Sequence, residues 1–432
     1  MIRTIAFVSK PGRALALSLA LAGLRPVHAA GAPSAADRAI AGVEVRVEHA
    51  PAPDVFVDLA AAFMRKARET GDPDYYARAG VALDRALAID PTHYGARRAR
   101  AWVLLGRHEF TAALRAARAA RAAEPRDWWN YGNLADACVE LGRYDDAARA
   151  TARLIELRPG LAAYTRVAAL RALTGDRVGA IEALELALAA VDPADPEERA
   201  WILTYLGHEH WALGDLARAR ARYEEALRTF SDYHLALPGL ARVLAAGGAT
   251  TAAIAVYERA LAVAPTPGVA GALGDLYARA GDPDRARATY AFGVYMGRVA
   301  TARGQTLGRE LALFLADHDR DLETALRLAA RDAAVRRDVY TDDALAWSLY
   351  KSGHRAEAKR AITRALHLGT EEASFRFHSG MIAAALGRPR TAARQLRAAL
   401  ALNPYFAAGD ATTARATLGA LAAPDRLAGR AS

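Results

Sequence analysis

Apolar residues recur along the chain at helical rather than alternating spacing, and the pattern itself repeats. Stretches that close on proline return at Pro91, Pro125, Pro159 and Pro193, 34 residues apart. Near the middle of each unit stands a glycine, then an aromatic or aliphatic residue, then alanine. Leu141-Gly142-Arg143-Tyr144-Asp145-Asp146-Ala147 and Leu213-Gly214-Asp215-Leu216-Ala217-Arg218-Ala219 show it. With that alanine as marker, the units fall at Ala79, Ala113, Ala147, Ala180, Ala219, Ala253, Ala286, Ala325, Ala358 and Ala392. The intervals are 34, 34, 33, 39, 34, 33, 39, 33 and 34. This predicts ten helix–turn–helix units. Glycine takes the turn dihedrals cheaply, and proline stops the second helix because it has no N–H. Two antiparallel helices approach closely only where side chains are small. Larger residues such as Leu134, Tyr144, Leu206, Tyr223, Tyr257 and Leu396 fill the space between.

A 34-residue repeat of this kind resembles the tetratricopeptide repeat family. In the fifth unit, Leu206-Gly207 matches the pair in the middle of the first helix, Gly214 the turn and Ala219 the crossing point. Tyr223 matches the second-helix aromatic and Ala226 the second small position, while Ser231 stands where proline usually closes the repeat. The tenth unit matches through Gly380, Gly387, Ala392, Leu396, Ala399 and Pro404. The resemblance runs from about residue 54 to 404. It implies an all-α, right-handed α-solenoid of about ten helix–turn–helix repeats whose concave groove is lined by the first helices. It also implies a protein or peptide partner in that groove. Transferring the family's groove phase selects Trp102, Trp129, Asn133, Asp136, Arg166, Trp201, Tyr205, His208, Arg242, Asp275 and Trp347. Four of the six tryptophans are in that set, and aromatic and arginine anchors are what binding hot spots use. The same positions also suit tryptophans packed between neighbouring helices. Arg98 and Asn133 match only fragments of the family's carboxylate clamp, so recognition of chaperone C-termini is not implied.

Outside the repeats, residues 1–29 carry Arg3, Lys10 and Arg13, then the apolar run Ala14 to Leu24, then Val27-His28-Ala29. That order is expected of a secretory signal, which predicts export to the periplasm or beyond. Residues 30–53 are expected to be a linker, 405–422 a capping helix and 423–432 a disordered tail. The two 39-residue intervals mark departures. The first holds Asp192-Pro193-Ala194-Asp195-Pro196, a loop between repeats. The second lacks proline from Tyr290 to Ala316 and predicts extended helices, with a joint between repeats 1–7 (54–300) and 8–10 (301–404). In the degenerate eighth repeat Asp332 and Arg337 stand where a small residue and proline belong.

Composition strengthens the helical reading, since 109 of the 432 residues are alanine, the best helix former. The formal net charge is +9, from 57 basic and 48 acidic residues. Arg3, Lys10, Arg13 and Arg25 lie in the signal, which leaves 53 against 48, or +5. Arginines alternate with acids along most helices, and only Arg115 to Arg121 forms a basic patch. No nucleic-acid partner is expected. A single cysteine excludes an internal disulfide framework and cysteine metal cages.

No catalytic constellation is found, so no enzyme activity and no cofactor are predicted. Cys138 is read as an inert packed thiol. His208-Glu209-His210 places its histidines about 200° apart on a helix, too far round to share a metal. His208 is expected at the groove and His210 against the second helix. Asp317-His318-Asp319-Arg320-Asp321 lacks the glycine and terminal glutamate of a calcium loop and reads as a solvated turn. No metal site is expected, and no stable membrane insertion after signal cleavage. The function that follows is a non-catalytic interaction scaffold or assembly factor of the cell envelope. Two alternatives stay open. One is an accessory subunit of an envelope enzyme or of a cytochrome c maturation system. The other is a small-molecule binder or enzyme with its site near the 290–325 joint.

Overall fold

The computed structural model describes residues 33–302 and 308–428. The expected signal, residues 1–29, lies outside them. The first helix, α1 (Ala35–His49), occupies residues read from sequence as linker, and this is a correction. Ser34 and Asp37 form a reciprocal capping box, and the Ser34 hydroxyl donates to Glu69 at 2.5 Å. Lys66 Nζ lies 2.7 Å from Asp37, and Ala36 and Ile40 are buried. The helix covers the open apolar side of the first repeat, as a solenoid end requires.

Ten antiparallel helix pairs follow. The first five are α2 (Pro53–Thr70) with α3 (Asp74–Ile89), α4 (Tyr94–Gly106) with α5 (Phe110–Ala123), α6 (Trp128–Glu140) with α7 (Tyr144–Leu157), α8 (Leu161–Leu173) with α9 (Arg177–Ala189), and α10 (Pro196–Ala212) with α11 (Leu216–Thr229). The second five are α12 (Ala236–Ala246) with α13 (Thr250–Val263), α14 (Pro267–Arg279) with α15 (Pro283–Ala302), α16 (Gly308–Asp317) with α17 (Leu322–Val335), α18 (Val339–Lys351) with α19 (Arg355–Ala365), and α20 (Ala373–Ala385) with α21 (Pro389–Leu402). The described residues end on α22 (Ala408–Ala428). That helix runs six residues further than the expected cap, into the segment read as disordered. An alanine-rich run continues a helix readily. Among the described residues there is no strand, and no helix is long and apolar enough to cross a membrane.

The pairs pack as the repeat pattern requires. Tyr223 is fully buried, with its ring between Gly207 and Gly239. A Cβ at Gly207 would stand 2.5 Å from that ring, so the crossing admits no side chain there. The second irregular interval is the 20-residue α15, and packing runs across it without a break. Phe314 of α16 sits against Gly271 and Gly293, and Leu311 sits against Gly297.

The superhelix also touches itself. The turn of the third repeat meets the joint before the ninth: Arg337 N–H donates to Glu140 O at 3.0 Å, and Val339 N–H donates to Tyr144 Oη at 2.9 Å. The turn of the fourth repeat meets the next joint. There Thr370 Oγ1 donates to Leu173 O, and Arg177 donates to Glu371 O and Glu372. The turn of the fifth meets the last joint, where Asn403 Nδ2 donates to Trp211 O at 2.7 Å. These partners lie 192 to 197 residues apart. The end of α2 closes on the fifth repeat in the same manner. Arg68 pairs with Glu197, Arg65 with Asp195, and His234 reaches Arg68 O.

Candidate functional site

The predicted groove residues all lie on first helices of the pairs, in three zones of different chemistry. The first zone lies on α4, α6 and α8. Trp102 and Trp129 meet edge to face at 5.2 Å, and the Arg98 guanidinium lies 5.0 Å from the Trp129 ring while pairing with Asp127 at 2.9 Å. Both tryptophans are half-buried, so each packs on a neighbour and also keeps an accessible face. Asn133 follows Trp129 by one helical turn. It is buried to 4% exposure, and its Nδ2 has no hydrogen-bond partner. An unpaired buried amide nitrogen costs ~1–3 kcal/mol. Asp136, one turn further, is held by Arg166, whose Nε also donates to Gly132 O at 3.2 Å. Arg166 is thus committed within the protein and offers less charge than its type suggests.

The middle zone lies on α10 and α12. Trp201 and Tyr205 lie against each other with ring centres 4.2 Å apart and planes tilted by 34°, and Tyr205 is 38% exposed. His208 Nδ1 and the Tyr223 hydroxyl are 2.7 Å apart. Burial, with the nearby Arg242 charge, pushes His208 down to about 3, so it is neutral at ordinary pH. Arg242 lies over the Trp211 ring at 4.5 Å. Behind this zone the Arg177 guanidinium is buried between Glu209 and Glu372, at 2.8 and 2.9 Å. Burial disfavours its charge, but the two carboxylates outweigh that and raise its pKa.

The third zone lies on α14 to α22 and is acidic. Asp275 accepts from Tyr290 Oη at 2.7 Å and faces His318 Nε2 at 3.1 Å. Burial works against charge on His318, and Asp275 overrides it, so the pKa rises. Trp347 does not face the groove as expected: it is 4% exposed, stacks on His378 at 4.2 Å and donates Nε1–H to Asp317 at 2.7 Å. Its large ring fills the core between α16, α18 and α20. His378 in turn is bonded to Asp343 at 2.8 Å. Asp410, from the last helix, completes the zone and is pushed up to about 6 by burial and by the nearby Asp317.

Sequence reasoning missed Asp317, His378 and Asp410. The only sequence signal was that Asp317 opens the Asp-His-Asp-Arg-Asp run. That run is a turn and not a metal loop: Asp319 pairs with Lys351 at 2.7 Å and Asp321 caps α17. Among the described residues no group of three or more His, Cys, Asp or Glu side chains could hold a metal ion. His210 is buried, as expected, and Glu209 between the two histidines serves Arg177. Cys138 is buried and its thiol is pushed up by burial, which suits a packed rather than a reactive group.

Comparison with known proteins places this architecture. A family profile described as tetratricopeptide repeat matches residues 98–162, 206–270 and 344–405. No curated protein matches the chain. Among solved structures, human IFIT1 in complex with m7Gppp-AAAA is 15% identical over 76% of each chain, with a TM-score of 0.51. A thermophilic tetratricopeptide repeat protein of Thermus thermophilus is 22% identical over 43% of this chain and 96% of its own, at 0.38. The Cut9–Hcn1 assembly of the APC/C is 14% identical over 93% of this chain and 98% of its own, at 0.38. At these identities the likeness is one of fold. The described chain is therefore an α-solenoid of helix–turn–helix units, and the units within the three matched segments match the tetratricopeptide repeat.

Proposed function

We propose that the protein is a non-catalytic scaffold or assembly factor that holds an extended segment of a partner protein along its concave face. Tetratricopeptide repeat proteins generally mediate protein–protein interactions, and the surface here suits that use. The observation that carries the reading is the Asn133 side chain: buried, unpartnered at Nδ2, and one turn from the Trp129 ring that Arg98 covers. A peptide carbonyl would satisfy the nitrogen, and the accessible tryptophan faces would take apolar side chains. The chain's own acids argue against a polyanion. Asp127, Asp136 and the pair Glu209–Glu372 already engage Arg98, Arg166 and Arg177. The RNA seen with IFIT1 is thus no guide to the ligand of this chain. We further propose export through the N-terminal signal and action in the cell envelope, including as an accessory subunit of an enzyme there.

Affinity capture with the full chain tests the groove. Trp129→Ala combined with Asn133→Ala should lose the partners the wild type retains, by tenfold or more, while leaving the circular dichroism spectrum unchanged. Retention of the same partners would reject this surface. N-terminal sequencing of the protein recovered from its native cell tests export, with a start near Ala30 expected.

A further inference from the structure

A second site lies away from the concave face, between two second helices. A cleft of about 190 Å³ opens between α5 and α7, and its floor is the back of α6. The floor and sides are apolar: Leu114, Leu134 and Cys138 are each at most 6% exposed. Three arginines line it, Arg118 and Arg121 from α5 and Arg149 from α7, against one acid, Asp146. Asp146 is already saturated. Arg143 Nε donates to one of its oxygens at 2.7 Å and Arg149 Nη2 to the other at 2.5 Å. Helix α5 carries three arginines and no acid. Arg118 and Arg121 have no carboxylate partner among the described residues and stand exposed at the mouth.

An apolar floor under unneutralised guanidinium groups is a mixed environment that selects a mixed ligand. A dry cavity of about 150 Å³ accommodates benzene, so a ring-sized apolar body fits this volume. Guanidinium groups offer planar paired donors that match a carboxylate. We propose that this cleft binds a small organic anion, a carboxylate carried on an apolar body about the size of a benzene ring. The body rests on Leu114, Leu134 and Cys138, and the carboxylate bridges Arg118 and Arg121. This site is independent of the concave face and of the partner proposed there.

Saturation-transfer NMR with the full chain supplies the readout, since Cys138 is only 3% exposed and no reagent then has to reach it. Phenylacetate should give a saturable signal, fivefold or more above that of benzylamine, which has the same ring and the opposite charge. The double variant Arg118→Gln/Arg121→Gln should lose the signal, and Arg115→Gln, outside the cleft, should keep it. The proposal is overturned if the two probes give equal signals or none, or if the phenylacetate signal is the same for wild type and double variant.

Discussion

The joints at Pro91, Pro125 and Pro159 and the joints at Ser231, Arg337 and Thr370 occupy the same phase of the repeat and do different work. At the first group the ring follows the end of a helix and the hydrogen bonds stay within a repeat or its neighbour, as in Arg97 Nε to Pro91 O at 3.0 Å, Tyr131 Oη to Pro125 O at 2.9 Å and Tyr94 Oη to Asp127 at 2.8 Å. At the second group the residue or its neighbours reach across the superhelix. Arg337 donates its backbone N–H to Glu140 O, which proline could not do. Thr370 donates its hydroxyl to Leu173 O. Next to Ser231, His234 meets Arg68 O. Pro404 keeps its proline because the adjacent Asn403 supplies the donor. The missing prolines are therefore not decay of the repeat. They mark where one turn of the superhelix docks on the next.

The largest test of this contrast is Arg177→Gln. It leaves Glu209 and Glu372 facing each other with no cation between them, and breaking such a buried pair costs about 3–5 kcal/mol. Arg149→Gln, an exposed pair with Asp146, should cost under about 1 kcal/mol by urea denaturation. The next test sets two turn glycines against each other. Gly142 and Gly353 both have positive φ, 67° and 84°, and alanine at either costs about 1–2 kcal/mol of backbone strain. A Cβ at Gly142 would also stand 2.5 Å from Arg337 O, whereas Gly353 has open space. Gly142→Ala should thus be clearly the more destabilising of the two. It should also expand the particle in small-angle scattering, which Gly353→Ala should not.

Arg337→Pro restores the repeat signature and removes the donor to Glu140 O, so about 1–3 kcal/mol of stability should be lost. A change within about 0.5 kcal/mol would mean the docked joints are no different from the others.

The remaining tests are pH-dependent and of opposite sign. His208 is depressed from 6.5 to about 3, so the unfolded chain takes the proton first. Its stabilising contribution is present above pH 6.5 and declines as pH falls toward 3. Wild type should therefore lose melting temperature relative to His208→Gln between pH 7.5 and 4.5. Asp410 is raised from 3.8 to about 6, so its contribution is complete below 3.8 and is lost as pH rises through 6. Asp410→Asn should melt higher than wild type at pH 8, and the gap should close in acid.

Much of the fold was legible because each repeat carries its own instructions within 34 residues. Glycine at the turn, alanine at the crossing and proline at the stop are local requirements, met again and again. The site was legible in part. Phase alone put Trp129, Asn133 and Tyr205 on first helices, since the same position recurs from one repeat to the next. Trp347 obeyed the same phase and still went to the core, because His378 of the next first helix lies flat against it. Asp410 could not be found from sequence, since its meaning depends on Asp317, which is near it in space but 93 positions earlier in the chain.

The sequence by itself determined the helices, their pairing and the order of the stack. Only the tertiary structure decided that the stack closes on itself, and with it the burial of Arg177 and the role of Arg337. The physical reason is additive rotation. Each repeat turns slightly against the last, and contacts between partners 192 to 197 residues apart depend on the sum of those small angles, which no local pattern records.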